Sequence, residues 1–468
     1  MLNRAMSFAR DLRVRDPVRF WLVCLALLAG IWKLQAVWLA QPRLFPDSYD
    51  YLDLLGPHRT AVADRLPGIP AFFFLLARDR RAIVIAQAFL GAASWGVLAC
   101  VVARRFRSSV VAFLVGVAVL VFSLTAPVSL WDGVLLSESL SISLLVLLIA
   151  AVMMLFERPS TSIVAAAVVL GAIWVYVRDP NAAMLALAAV TMAVLALTRV
   201  VSRRTLIVAV AWLLLAASSI ALQGASTRWQ LALYDIIGVR ILTDRHATQE
   251  FARAGMPVTP AVKSMAGKLA SQGFVSEPAL ADLRAWTREH GRQTYLRYLL
   301  RNYGSTLLDP FRDESCRARL ARDIPCFNVL RDGGLAPLEM YPAQHWRSPL
   351  PTAFEDALGQ RLNMTQYVTA LIFCTLAGAV GLWRSRRRAN WAWSIWLAAA
   401  SAVFLVFGWN AESQEVARHT LDVWIYITLG LFLALGTLAD AALSTGPDVE
   451  PGVEPDAGRL RRTAALRR

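Results

Sequence analysis

Several signatures of familiar chemistry are missing from this chain. It has no Walker A sequence, no glycine-rich dinucleotide loop and no serine-nucleophile elbow, so direct use of ATP is not expected of it. No Cys/His spacing suggests a zinc site, and no internal repeat stands out. Charge is also scarce. Only 17% of the 468 residues are charged against 57% hydrophobic, and the apolar residues fall into long blocks instead of the periodic stripes of a soluble core. Just one long stretch, residues 224–363, lacks a run able to cross a hydrocarbon core of roughly 30 Å, which takes about 20 helical residues.

The blocks predict an all-α polytopic membrane protein with about ten transmembrane helices, near residues 19–40, 82–103, 108–126, 134–156, 161–178, 180–198, 205–223, 365–383, 391–408 and 421–442. One mainly helical extracytoplasmic domain, 224–363, is inserted between spans seven and eight. It separates an N-terminal membrane domain, 1–223, from the last spans in 364–442, and a disordered cytoplasmic tail is expected over 443–468. The formal charge of +15 would suggest a nucleic-acid partner in a soluble protein, but its location argues against one. Arg4, Arg10, Arg13, Arg15 and Arg19, then Arg104, Arg105 and Arg107, then Arg199, Arg203 and Arg204, then Arg384, Arg386, Arg387 and Arg388 all fall on one side of the predicted topology. By the positive-inside rule that side is the cytoplasm, and both termini lie there. The first block is too long for a cleaved signal peptide and reads as a retained span. Within it, Lys33 is expected either to snorkel to the interface or to meet an anionic lipid headgroup.

Of the five cysteines, Cys24, Cys100 and Cys374 fall inside predicted spans as small apolar residues. Cys316 and Cys326 lie in the outward domain, an oxidising setting, and close in sequence; a disulfide between them is expected to stabilise it by about 2–3 kcal/mol. A helix is predicted from about Glu277 to Asn302, where Leu283, Trp286, Tyr295, Tyr298 and Leu299 recur among arginines; it either lies on the membrane surface or packs on the domain. Loops are expected from Asp309 to Gln360.

Candidate site residues gather at the outward ends of the spans. Asp47, in Pro46-Asp47-Ser48-Tyr49-Asp50-Tyr51, puts a carboxylate just beyond span one, and equally suits a helix N-cap. Arg43, Arg59, Arg65, Arg78, Arg80 and Arg81 lie in the same outward region, either in local ion pairs or holding a phosphate at headgroup level. Arg65 opens Arg65-Leu66-Pro67-Gly68-Ile69-Pro70, and the apolar segment from Ala71 to Ala77 is too short to span. Glu138, in Ser137-Glu138-Ser139-Leu140, lies about one and a half turns into span four, where a carboxylate is costly unless it meets a cation or a wet cavity; a helix N-terminus is the competing explanation. Arg178-Asp179 and Arg418-His419, with Glu412 and Glu415 before the latter, sit at further outward ends, and all of these could border one cavity.

These residues give the chain a resemblance to the C-type (GT-C) membrane glycosyltransferases, especially bacterial proteins similar to the protein-mannosyltransferase and lipid A aminoarabinose transferase group. Pro46-Asp47-Ser48 with Tyr51, Arg65-Leu66-Pro67-Gly68-Ile69-Pro70, Ser137-Glu138-Ser139-Leu140, Arg178-Asp179-Pro180 and Arg418-His419 carry it. The second segment is similar to the Arg-Pro-Pro-Gly-Tyr-Pro often seen there, with Leu66 and Ile69 replacing Pro and Tyr; Ser48 stands where that group has a second acid. The resemblance implies transfer of a sugar from a polyprenyl-phosphate donor, on the outer face of the bacterial cytoplasmic (inner) membrane, to an envelope acceptor. It implies Asp47 and Glu138 as catalytic or metal-binding carboxylates, for a divalent ion such as Mg or Mn, and Arg65, Arg178, Arg418 and His419 as donor-phosphate ligands. Two rivals remain: a lipid-linked glycan polymerase or ligase using His246, His290 or His345, and a lipid or glycan transporter without chemistry.

Overall fold

Lys33, expected at the membrane interface, lies instead against an acid inside the bundle, and the reason is the way the helices pack. The computed structural model describes residues 16–40, 42–44, 46–53, 65–312, 364–384, 388–411 and 421–443. Among these the chain is helical, with no strand beyond an isolated bridge between Arg43 and Val134. Eight helices are long and apolar enough to cross a membrane. They are α1 (Pro17–Leu39), α4 (Arg80–Ala103), α6 (Glu138–Glu157), α8 (Asp179–Leu197), α9 (Arg204–Ala225), α15 (Met364–Arg384), α16 (Arg388–Ala411) and α17 (Leu421–Leu443). Two shorter apolar helices, α5 (Ser109–Leu124) and α7 (Thr161–Val175), occupy the third and fifth expected spans.

The central element is α6, buried along most of its length, while the helices around it keep one face of Leu, Val and Ile exposed. That inversion, apolar outside as well as inside, is what lipid as solvent permits. Polar side chains fasten the packing. Asn181 donates to the Ser141 hydroxyl at 3.1 Å and to the Trp174 carbonyl at 2.8 Å, and the Trp174 indole donates to the Ser141 carbonyl at 3.1 Å, tying α6, α7 and α8 together.

The two ends of the bundle differ in chemistry. At one, Arg105 pairs with Glu157 at 2.7 Å, Asp440 accepts the backbone N–H groups of Arg107 and Ser108 at 3.1 and 2.7 Å, and Arg204 donates to the Pro159 carbonyl at 2.7 Å. The arginines flanking α4, α5 and α9 thus collect at one end, as the alternation of the blocks demands. At the other end lie two short helices, α2 (Pro46–Asp53) and α3 (Gly68–Leu75), the latter burying Ile69, Pro70 and Phe73.

The expected fourth span begins later than its hydropathy suggests. Residues 126–137 form a helical turn, a 3-10 turn over Leu130–Gly133 and an irregular stretch, so Glu138 is the first residue of α6 and not one and a half turns inside it. Irregular backbone at this depth is tolerated because Leu130–Ser137 are all buried in protein.

Beyond α9 a small helical unit has its own core. Tyr234 and Ile236 of α10 (Trp229–Ile236), with Ile237 and Ile241 of the π-type turn after it, pack with Phe251 of α11 (Arg245–Arg253), Phe274 and Leu280. The predicted helix near 277–302 is present as α12 (Ala281–Trp286), a π-type turn over Thr287–Gly291 and α13 (Arg292–Arg301), followed by α14 (Tyr303–Arg312). Its first part packs on the domain, as one of the two expectations had it. Leu283 and Trp286 enter the domain core, whereas Leu296, Leu300, Tyr303 and Leu307 form an exposed apolar stripe. The Tyr295 hydroxyl donates to the Asn410 carbonyl at 2.6 Å, fixing this unit to α16, and burial pushes the Tyr295 pKa up to about 12. The expected disulfide Cys316–Cys326, the tail from 444 and all but the first residues of the 309–360 loop region lie outside the described residues.

Candidate functional site: paired acids and arginines at one end of the bundle

Asp47 is placed by contacts that hold its short helix over the bundle. The Arg43 N–H donates to the Gly133 carbonyl at 2.9 Å and its carbonyl accepts from the Leu135 N–H at 3.0 Å, pinning the chain between α1 and α2 to the segment before α6. The Gly68 N–H donates to the Tyr176 carbonyl at 3.0 Å; a Cβ on Gly68 would lie 2.6 Å from that oxygen, so only glycine lets the backbones approach this closely.

Between these anchors Arg65 reaches back to α2. Its Nη2 donates to Asp47 at 2.9 Å and Asp50 at 2.7 Å, its Nη1 donates to the Tyr51 hydroxyl at 3.1 Å, and the guanidinium lies 4.7 Å from the Tyr51 ring centroid. Burial alone would lower the Arg65 pKa; Tyr51, Asp47 and Asp50 more than offset it, and the net shift is upward. Asp47 lies within the first turn of α2, and its second oxygen faces Arg228 at 4.0 Å. Arg228 is also 4.0 Å from Asp179, so one side chain links α2 to the start of α8.

Next to Asp179, Arg178 turns inward. Its Nη2 lies 3.5 Å from a Glu138 oxygen, and Glu138 is 0% exposed. The N-terminus of α6 favours that negative charge, so helix-end and buried-pair explanations of Glu138 both hold. The sequence reading passed over the third member of this cluster. Asp422, in the first turn of α17, is fully buried, Arg178 and Glu138 are the charged groups that act on it, and neither of its oxygens has a hydrogen-bond partner. The available signal was an acid one residue inside the last apolar block, overshadowed by the adjacent Arg418-His419.

An unpartnered buried carboxyl is destabilising, so Asp422→Asn, which keeps the volume and removes the charge, is expected to raise stability by about 1–2 kcal/mol. Thermal unfolding in detergent measures this. A loss of that size instead would mean that the carboxyl is held by the fold.

A separate ion pair lies deeper. Lys33 donates to Asp132 at 2.8 Å, and the Ser139 hydroxyl donates to the other Asp132 oxygen at 2.7 Å. Lys33 is 2% exposed, so it neither snorkels nor meets a headgroup. Six residues from the end of α1, it sits roughly 9 Å below that end at 1.5 Å per residue.

Arg43 differs from the other arginines here. Its side chain is 2% exposed, no carboxylate among the described residues pairs with it, and its Nη2 has no hydrogen-bond partner. Burial draws its pKa down to about 10.

The structure therefore joins Asp47 with Arg65 and Glu138 with Arg178, as two neighbouring clusters linked through Arg228 and the adjacent pair Arg178-Asp179. Arg418, His419 and His345 lie outside the described residues, and His246 and His290 are exposed on the small domain. Asp47 and Glu138 each face a guanidinium, and among the described residues no group of three His, Cys, Asp or Glu is placed to hold an ion. No protein-family model and no curated protein matches the chain. An all-helical membrane-type fold names no chemistry by itself.

Proposed function

We propose that this protein is a membrane glycosyltransferase that moves a sugar from a polyprenyl-phosphate donor to a hydroxyl of an envelope glycan, lipid or protein. In this reading all ten apolar helices cross the bacterial cytoplasmic membrane, the Arg105 end faces the cytoplasm and the Asp47 end faces outward. The observation that carries the reading is Arg43, a buried cation with no carboxylate partner among the described residues, at the same end as Asp47. A buried charge of this kind calls for an anion, and a lipid phosphate at the membrane boundary supplies one.

The chemistry assigned to the residues is a displacement at the sugar's anomeric carbon. The acceptor oxygen forms the new bond, Asp47 takes its proton, and the bond between sugar and phosphate oxygen breaks, leaving its electrons on the phosphate. Arg43, with Arg65 and Arg418 as further candidates, receives that charge. A carboxylate is a weak base near neutral pH, so positioning and stabilisation of the leaving phosphate carry most of the rate. No step is routed through a divalent ion.

Purified protein in lipid, given a panel of labelled polyprenyl-phosphate sugars, is expected to transfer or release sugar from at least one. Inactivity on the whole panel would remove the proposal. Arg43→Met is expected to raise the donor concentration for half-maximal turnover roughly tenfold or more. Its thermal stability should hold or rise, because an uncompensated buried charge is gone. A variant that loses stability and turnover together would mark Arg43 as structural.

A further inference from the structure

A cleft of about 290 Å³ lies between α8 and α16 and runs from Met184 and Tyr426 to Arg105. Its floor is one face of α6, where Leu148, Ile149 and Val152 recur at helical spacing, and its walls include Ala188 of α8 and Trp393 and Trp396 of α16. Ala389 and Ala392 on the α16 rim are exposed, as is Val200 opposite, so the cleft reaches the protein surface. Both flanking helices are apolar enough to span a membrane, and Ala389 and Val200 lie at their ends beside Arg388 and Arg199, so the opening falls where hydrocarbon meets the headgroups.

The charged groups of the lining, Arg105 and Glu157, both close the same end. Arg105 is held firmly. Its Nη2 lies 2.7 Å from Glu157 and 3.3 Å from the Met153 carbonyl, and its guanidinium stands 5.7 Å from the Trp393 ring centroid. Its side chain is 4% exposed, yet its buried Nε has no hydrogen-bond partner. Glu157 is 41% exposed and shares its charge with solvent, so burial lowers the Arg105 pKa and Glu157 offsets this only in part. Arg104, Arg107, Arg158, Arg203 and Arg204 lie in the connections at this same end. An apolar slot that opens to the bilayer and ends on an incompletely satisfied guanidinium, within a positive surface, matches one kind of ligand.

We infer that the cleft binds one hydrocarbon chain of an anionic phospholipid, with the phosphate at Arg105. None of Asp47, Arg65, Glu138, Arg178 and Asp422 lines the cleft, and the inference does not depend on the transferase reading. A volume near the lower end of small-molecule sites accommodates a chain segment but no headgroup, which leaves the phosphate at the rim.

The test uses delipidated full-length protein in detergent, titrated with phosphatidylglycerol or with phosphatidylcholine of the same chains, and read by native mass spectrometry and thermal unfolding. Phosphatidylglycerol is expected to bind about tenfold more tightly, a difference of about 1.4 kcal/mol, and to raise the melting temperature more. Arg105→Gln should abolish the preference between the two lipids, while Ala188→Trp, which fills the cleft, should remove the bound lipid and its thermal shift. If Ala188→Trp does not fold, Ala392→Trp from the exposed opposite rim takes its place. Equal affinity for the two lipids, or an undiminished shift in the filled variant, overturns the inference. So does phosphatidylglycerol binding that emerges only after removal of residues 444–468, since the chain's own tail would then be the occupant.

Discussion

Asp47→Asn is expected to lower sugar transfer by about 10²–10⁴-fold, the range a positioned general base contributes, while leaving the fold almost untouched. The separation of the two effects follows from geometry. The Asp47 side chain is 29% exposed, and the pair it forms with Arg65 is one of two, because Arg65 also donates to Asp50 at 2.7 Å. An asparagine oxygen can still accept from Arg65, so the stability loss should stay within about 1 kcal/mol, as for partly exposed ion pairs. The amide cannot take a proton. Asp50→Asn is the matched control: it takes the charge from a comparable contact with Arg65 but removes no base, and transfer is expected to stay within about tenfold of wild type. Turnover of the labelled donor, read beside thermal unfolding of both variants, checks this. Equal rates for Asp47→Asn and wild type would reduce Asp47 to a partner for Arg65 and move the base elsewhere, with Glu138 and Asp422 next in line.

What the sequence allowed to be read is governed by range. Apolar blocks are a local property, and all ten expected spans correspond to apolar helices, eight of them long enough to cross a membrane. The arginines flanking α4, α5 and α9 also share one end, as parity along the chain predicts, while Arg4, Arg10, Arg13, Arg15, Arg386 and Arg387 lie outside the described residues. Pairings between Asp47 and Arg65 or Glu138 and Arg178 follow less directly; shared location at outward ends made them candidates, but partner choice depends on packing. The irregular stretch before α6 hid from hydropathy, since Val134, Leu135 and Leu136 are as apolar as a helix would be. Lys33 drew the wrong expectation, and Asp422 drew none, for the same reason. An isolated charge in an apolar block looks like an interface anchor until the opposing helix is known, and the opposing residues are remote in sequence, Arg178 and Glu138 for one and Asp132 for the other.

Lys33→Met should be the most destabilising single change predicted here, at about 3–5 kcal/mol, because it strands a buried carboxylate. Asp132 is 3% exposed and sits on the 3-10 turn just before Glu138, so an uncompensated charge there would push the turn toward water and take the start of α6 with it. Gly91 of α4 backs the pair so closely that a Cβ there would lie 3.3 Å from an Asp132 oxygen, leaving little room for a water to substitute for the ammonium. Combining Lys33→Met with Asp132→Asn removes both charges yet keeps an acceptor for the Ser139 hydroxyl, 2.7 Å away in the native protein, and should restore at least half of the lost stability. Thermal unfolding of wild type, each single variant and the double variant measures the coupling; no recovery in the double variant would mean that Lys33 acts through packing of its stem and not through charge. Turnover in the same set then separates two roles. Recovery of stability and transfer together makes the pair a clamp that presents Glu138. Stability that returns without transfer makes the intramembrane charge itself part of function, which is what a protein that carries a charged or polar ligand through the bilayer would require.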